Sequence, residues 1–206
     1  RFVCDTDAGW GAALVERLER FKLRVDATVS PLDWVVVSVR GPGADEVEPR
    51  PAEGIVVPFA WGPLTGIDAL GASVPVPDGL ATLDDETADA LCIEAGVPRM
   101  GRELTTDTIP EAAGVVAPSV SFTKGCYVGQ ELVARIDSRG GNVPTRLRLV
   151  RLDGPAVPVP GAPVVVGDDE VGEITSAATT PDGTVVALAY VKRSVEPPVT
   201  ASVLTP

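Results

Sequence analysis

The amino-acid sequence predicts an α+β fold with a C-terminal antiparallel β domain, and three patterns predict it. A helix-spaced apolar stripe precedes two β-rich runs near the start of the chain. A second, capped helix stands in the middle, and short β runs separated by turns fill the end.

Asp7 is placed to cap a helix reaching about Lys22, with Leu14, Leu18 and Phe21 spaced as one buried stripe. Residues 23–29 and 33–39 read as strands, the second ended by Gly41-Pro42-Gly43. Asp45, Glu46 and Glu48 read as an exposed acidic loop, and 55–59 as a short strand. Helix, strand, strand suggests a partial, ferredoxin-like α+β domain over residues 1–75 whose first part precedes Arg1. Because the first residue is Arg1 rather than Met, the chain is expected to lack its natural start. Residues 69–79, rich in glycine and proline, read as a connector.

A helix then starts at Asp84 or Asp85 and reaches Ala95, where Gly96 supplies the stop. Thr87, Leu91 and Glu94 share one face of it. A carboxylate in the last turn opposes the helix dipole unless a partner neutralises it; a solvated Glu94 at a frayed end is the commoner arrangement. Residues 76–145 are expected to complete a central region, with an ordered element continuing over 132–136 and a turn at Arg139-Gly140-Gly141-Asn142. Residues 146–206 carry strands at 146–152, 163–166, 171–176 and 184–191, with Pro181-Asp182-Gly183 between the last two, a rhythm that fits a small antiparallel barrel or sandwich.

Composition narrows the function classes. Glycine and proline number 21 and 20 of 206 residues, and 45% of residues are hydrophobic, a turn-rich but folded chain. No apolar run is long enough to span a membrane and no leader is visible. Three dispersed cysteines, Cys4, Cys92 and Cys126, fit a reducing cytoplasm better than a disulfide framework. Histidine is absent, so Ser-His-Asp and Cys-His nucleophiles and His-based metal sites are excluded, and the cysteine count excludes a Cys₄ site. The net charge of −12 argues against direct binding of nucleic acid. Residues 124–151 nevertheless carry six basic and two acidic side chains, an island that can focus an anionic ligand's field. Outward-facing arginines of exposed strands, such as Arg146, Arg148 and Arg151, fit the same count.

The densest chemistry lies in Lys124-Gly125-Cys126-Tyr127-Val128-Gly129-Gln130-Glu131. Lys124, and the amides of a helix beginning near Tyr127, would favour the Cys126 thiolate. Gly125 and Gly129 allow close backbone approach or positive φ. Tyr127 offers a flat face and a hydroxyl, while Gln130 and Glu131 offer edges suited to heterocycle nitrogens. An inert buried Cys126 beside a core Tyr127 fits the same residues.

This octapeptide resembles the hallmark of the YgfZ family of folate-binding proteins, relatives of the glycine-cleavage T-protein. Ile93-Glu94-Ala95-Gly96 with Pro98-Arg99-Met100-Gly101, Thr108-Ile109-Pro110-Glu111, Ser121-Phe122, Gly172-Glu173-Ile174-Thr175-Ser176 and residues 187–191 are similar to other segments of that family. The resemblance is close over about 90–192 and loose over 1–80. It implies a T-protein-like multidomain ring around a central folate pocket, with a C-terminal antiparallel β-barrel. It further implies bound tetrahydrofolate or a derivative and support of iron–sulfur cluster assembly or repair, with no conventional turnover. Cys126 would be the functional thiol, and Glu94 would contact the pterin. Lys124, Tyr127, Gln130, Glu131, Arg135 and Arg139 would complete the folate site, with no metal. The expected partners are folate and iron–sulfur client or assembly proteins, for a cytoplasmic monomer that touches neither membrane nor nucleic acid. A tetrahydrofolate-dependent aminomethyltransferase and a thiol-redox or scaffold protein without folate are the alternatives. Two departures bear on them: Cys92 stands where the family's Arg-Ile-Glu-Ala-Gly pattern has arginine, and the T-protein's catalytic aspartate belongs to a segment that would precede Arg1.

Overall fold

The computed structural model describes residues 1–47, 49 and 51–204. It divides into two compact units, Arg1–Thr82 and Leu83–Pro206.

The first unit opens with helix α1, Gly11–Phe21. Its start differs from expectation: Trp10 occupies the N-cap position without a side-chain cap, and Asp7 contributes its carbonyl, which accepts from Trp10 N at 3.2 Å. No α1 residue is buried, so the stripe of Leu14, Leu18 and Phe21 is not the core contact its spacing suggests. The strand expected over 23–29 is also absent. Arg24 takes φ +59, a left-handed conformation that a ladder residue cannot hold. The sheet consists instead of β1 (Val35–Arg40), β2 (Ile55–Trp61) and β3 (Leu64–Gly71), in the antiparallel order β1-β3-β2.

The central strand β3 was not predicted, and its last three residues fall in the expected connector. Two glycines disguise it. A Cβ on Gly66 would collide with the Val39 carbonyl of β1, and one on Gly71 would meet Pro51 and Ala52, so close backbone packing removes the side chains that mark a strand. Ala69 and Leu70 are buried along it, and Ile67 packs with Val39 and Ala44, the latter at the start of a 3₁₀ turn, Ala44–Glu46. Asp45 and Glu46 of the expected acidic loop are exposed; Glu48 lies outside the described residues.

In the second unit α2 spans Asp85–Ala95 as its caps predict. The Asp84 carboxylate accepts from Thr87 N at 2.8 Å, and Gly96 closes the end with φ +74. A short α3 (Val116–Ser119) and α4 (Gln130–Asp137) precede five strands: β4 (Thr145–Leu152), β5 (Pro163–Val166), β6 (Asp169–Thr179), β7 (Val185–Lys192) and β8 (Ser202–Val203).

These strands form one antiparallel sheet of order β4-β7-β6-β5-β8. Residues alternate between its two faces. Val186, Leu188, Ala178 and Leu147 pack against Ala90 and Ile93 of α2. Ala187, Ala189, Val191, Val171 and Ile174 face the opposite cluster with Val164. Covered on both sides, β7 is the most buried strand. The antiparallel pairing is as expected, but closure into a barrel is not present among the described residues. The sheet ends at β4 and β8, and with four residues in β5 and two in β8 the outer ladders are short.

Candidate functional site

The octapeptide forms a loop that closes on itself before α4. Gly129 takes φ +88, which would strain a residue bearing a Cβ by roughly 1 kcal/mol, and the helix starts immediately after it. Gln130 locks the loop from inside the helix: its side-chain Oε1 accepts from Tyr127 N at 3.0 Å, and its own N donates to the Tyr127 carbonyl at 3.3 Å. The Lys124 ammonium stands 4.4 Å from the centroid of the Tyr127 ring, a cation–π contact worth about 0.5–1 kcal/mol at an exposed site. Between them Cys126 is a free, exposed thiol. The inert buried cysteine that the sequence also allowed is therefore not what forms.

Two expectations are corrected. The helix begins at Gln130 rather than near Tyr127, so Cys126 lies outside its first turn. Gly125 shows neither positive φ nor a close backbone approach, while Gly129 shows the positive φ alone. The Gln130 oxygen is committed to the loop, while Glu131, Arg135 and Arg139 are exposed with no side-chain hydrogen bond or ion pair among the described residues.

Glu94 sits in the last turn of α2 and is not an unpartnered solvated carboxylate. Arg151 Nη2 of β4 donates to its Oε1 at 3.0 Å, supplying the cation that the helix end requires. Arg151 reaches α2 because it shares a sheet face with Leu147, which packs against Ala90 and Ile93. The hydrogen-bonding contacts of Glu94 run to Arg151 and not to the 124–131 loop among the described residues. Of the other basic residues, Arg146 donates to Glu111 Oε1 at 3.2 Å and to the Gly141 carbonyl at 2.7 Å. Lys124, Arg135, Arg139 and Arg148 have no carboxylate partner among the described residues. These groups suit a folate. The Glu94 carboxylate keeps Oε2 for a heterocycle N–H, Tyr127 offers an aromatic face, and Lys124, Arg135 and Arg139 are cations available to acidic glutamyl groups, whereas Arg148 alternates to the sheet face opposite Arg151.

Sequence reasoning missed the most completely buried polar group. Glu103 has no exposed surface, yet its carboxylate accepts from Arg99 N at 2.9 Å, Thr175 Oγ1 at 2.9 Å and Ser176 Oγ at 2.6 Å. Its carbonyl accepts from Thr108 Oγ1 and Tyr190 Oη, each at 2.9 Å. Burial pushes the Tyr190 phenol above its ordinary value. Beside it Arg102 makes a two-pronged pair with Asp89, at 2.7 and 2.8 Å, which holds the Asp89 carboxyl below its usual range. Of these residues Arg102, Glu103, Thr108, Thr175 and Tyr190 border a cleft of about 540 Å³, lined also by Asp107, Glu170, Glu173 and Lys192. A lone glutamate between Arg102 and Leu104 carries no pattern that announces this role.

Known proteins resemble the chain in both sequence and fold. It is 40% identical over 131 residues to an aminomethyltransferase of Streptomyces avermitilis, covering 62% of this chain and 35% of that protein. The tRNA-modifying protein YgfZ of Sodalis glossinidius is 40% identical over 116 residues, 52% of this chain and 34% of that one. The YgfZ of Yersinia enterocolitica is 38% identical over 107 residues, 47% and 30% of the two chains. A crystal structure of glycine cleavage system aminomethyltransferase T from Bartonella henselae superposes with a TM-score of 0.67 at 20% identity, over 91% of this chain and 59% of its own. The chain is a relative of the T-protein and of YgfZ. Its T-protein-like fold therefore agrees with what the octapeptide and the Glu-Ala-Gly helix end imply. The chain spans about a third of the length of the curated YgfZ and aminomethyltransferase relatives it matches. No protein-family model matches it.

Proposed function

We propose that this chain is part of a YgfZ-type protein that binds tetrahydrofolate or a derivative and supports iron–sulfur cluster assembly or repair in client enzymes of the cytoplasm, acting as a monomer. The observation that carries the reading is the 124–131 loop, in which Lys124, Tyr127 and Gln130 hold one another while Cys126 stays exposed. In this reading Glu94 accepts N–H groups of the pterin, Tyr127 lies against a flat ring, and Lys124, Arg135 and Arg139 meet the glutamyl carboxylates. Tetrahydrofolate, when bound, supplies one-carbon carrier chemistry through its reduced ring nitrogens. Cys126 presents a thiol to a partner rather than serving as the nucleophile of a triad, since no histidine is there to act as its base.

Calorimetric titration of the protein with tetrahydrofolate tests the binding. Saturable binding is expected, weakened about 10- to 100-fold by Glu94→Gln, the worth of a charge-assisted hydrogen bond. No heat of binding up to high micromolar ligand would remove folate from the account. A tetrahydrofolate-dependent aminomethyltransferase is the second reading, favoured by the 40% identity to the S. avermitilis protein and by 38% identity over 149 residues to that of Streptomyces coelicolor, 70% of this chain and 36% of that one. Formation of methylene-tetrahydrofolate from an aminomethylated lipoyl carrier would establish that reading. Absence of turnover by a folate-binding preparation would leave the first.

A further inference from the structure

The pairing at the end of α2 assigns a role to a residue outside both motifs. Glu94 lies in the final turn, where the exposed carbonyls make a negative helix end and a second negative charge is unfavourable. The α2 helix has no basic residue in its last turn, and Cys92 stands two residues before Glu94. The compensating cation comes instead from β4, 57 residues away in sequence. Arg151 is held on the α2 side of the sheet by its register opposite Val186 and by Leu147, four residues earlier on the same face, which packs on Ile93.

We propose that Arg151 is a positioning residue for Glu94, holding its carboxylate so that Oε2 and the remaining lone pairs of Oε1 face a flat heterocycle with adjacent N–H donors. The inference rests on the folate reading and names the device that orients its pterin contact. A carboxylate offers about four acceptor positions, and the bond from Arg151 occupies one, leaving enough for a paired N–H edge. Glu94 and Arg151 are both partly exposed, so the pair adds little to folding stability; its contribution is directional. Arg151 touches no ligand in this scheme and acts through Glu94.

Four proteins decide it: wild type, Arg151→Ala, Glu94→Gln and the double variant, each titrated with tetrahydrofolate and with p-aminobenzoylglutamate, which lacks the pterin. Arg151→Ala should weaken tetrahydrofolate by about fivefold, the equivalent of a surface ion pair near 1 kcal/mol, and leave p-aminobenzoylglutamate unchanged. In the Glu94→Gln background the same change should cost nothing further. Arg151→Lys, which keeps the charge, should recover part of the loss. In the ligand-free proteins the four urea midpoints should lie close together, as expected of a solvent-exposed pair, so that a loss of affinity is not a loss of folding. Equal tetrahydrofolate affinity for wild type and Arg151→Ala would overturn the inference, as would equal weakening of both ligands. Wild type that binds no tetrahydrofolate overturns the folate reading itself, and the two failures are thereby told apart.

Discussion

Replacing Glu103 by alanine should be among the most damaging single changes in the second unit. The side chain is fully buried, and three donors converge on it: Arg99 N, Thr175 Oγ1 and Ser176 Oγ. Thr175 retains a second acceptor, the Leu188 carbonyl at 3.1 Å, so it loses least. The Arg99 N–H and the buried Ser176 hydroxyl lose the acceptor each uses here, at about 1–3 kcal/mol apiece. Removal of a buried charge returns part of its desolvation cost, but breaking such networks by deleting one member generally costs about 3–5 kcal/mol, and the void adds to it. A loss of about 4 kcal/mol is expected, a large share of a typical domain's stability. With a urea m-value of about 2 kcal/mol/M the midpoint should fall by about 2 M at unchanged m, read by circular dichroism and by hydrogen exchange of β6 and β7 peptides. Glu103→Gln keeps one acceptor oxygen but turns an amide donor toward other donors, and should fall between wild type and alanine. A midpoint within about 0.3 M of wild type for Glu103→Ala would refute the view that this carboxylate ties residues 99–108 to the sheet.

Other expectations are independent of it. The Arg102 guanidinium depresses the Asp89 carboxyl below its ordinary value of 3.8, so the pair's contribution is present above that pH and lost as pH falls through the lower folded value. The stability gap between wild type and Asp89→Asn should hold from pH 7 to 5 and close below about pH 4; a gap undiminished at pH 2 would contradict the assignment. Gly66→Ala should unfold the first sheet at lower urea, since its Cβ would strike the Val39 carbonyl; tryptophan fluorescence reports this, because Trp10, Trp34 and Trp61 all lie in that unit. Iodoacetamide should modify exposed Cys4 and Cys126 well before half-buried Cys92, and equal rates at all three would contradict the loop geometry.

Much of the second unit was legible because its signals are local. Asp84, Gly96 and the apolar runs of β4, β5, β6 and β7 carry caps and alternation that need no tertiary context, and the structure follows them within a few residues. The first unit was less legible. Leu23, Val25 and Val29 read as a strand, but Arg24 turns left-handed there, while β3 hides behind glycines that exist to let neighbouring backbones approach. Barrel closure is a property of the ladder, not of any single strand's pattern. At the candidate site, the glycine-dependent start of α4 could be anticipated at Gly129, but not the use of Gln130 as an internal lock. Pairing of Glu94 was legible only as a need, because its partner Arg151 arrives from a distant strand. Glu103 gave no sign, since its donors are scattered from Arg99 to Ser176.

Hydrogen exchange of the protein with and without saturating tetrahydrofolate tests most directly whether folate binds at Glu94 and the Cys126 loop. Peptides covering 91–96 and 124–135 should gain protection on addition of folate. Unchanged exchange in both segments, or protection confined to the cleft between residues 102–109 and 170–192, would contradict the assignment of folate to Glu94 and the Cys126 loop.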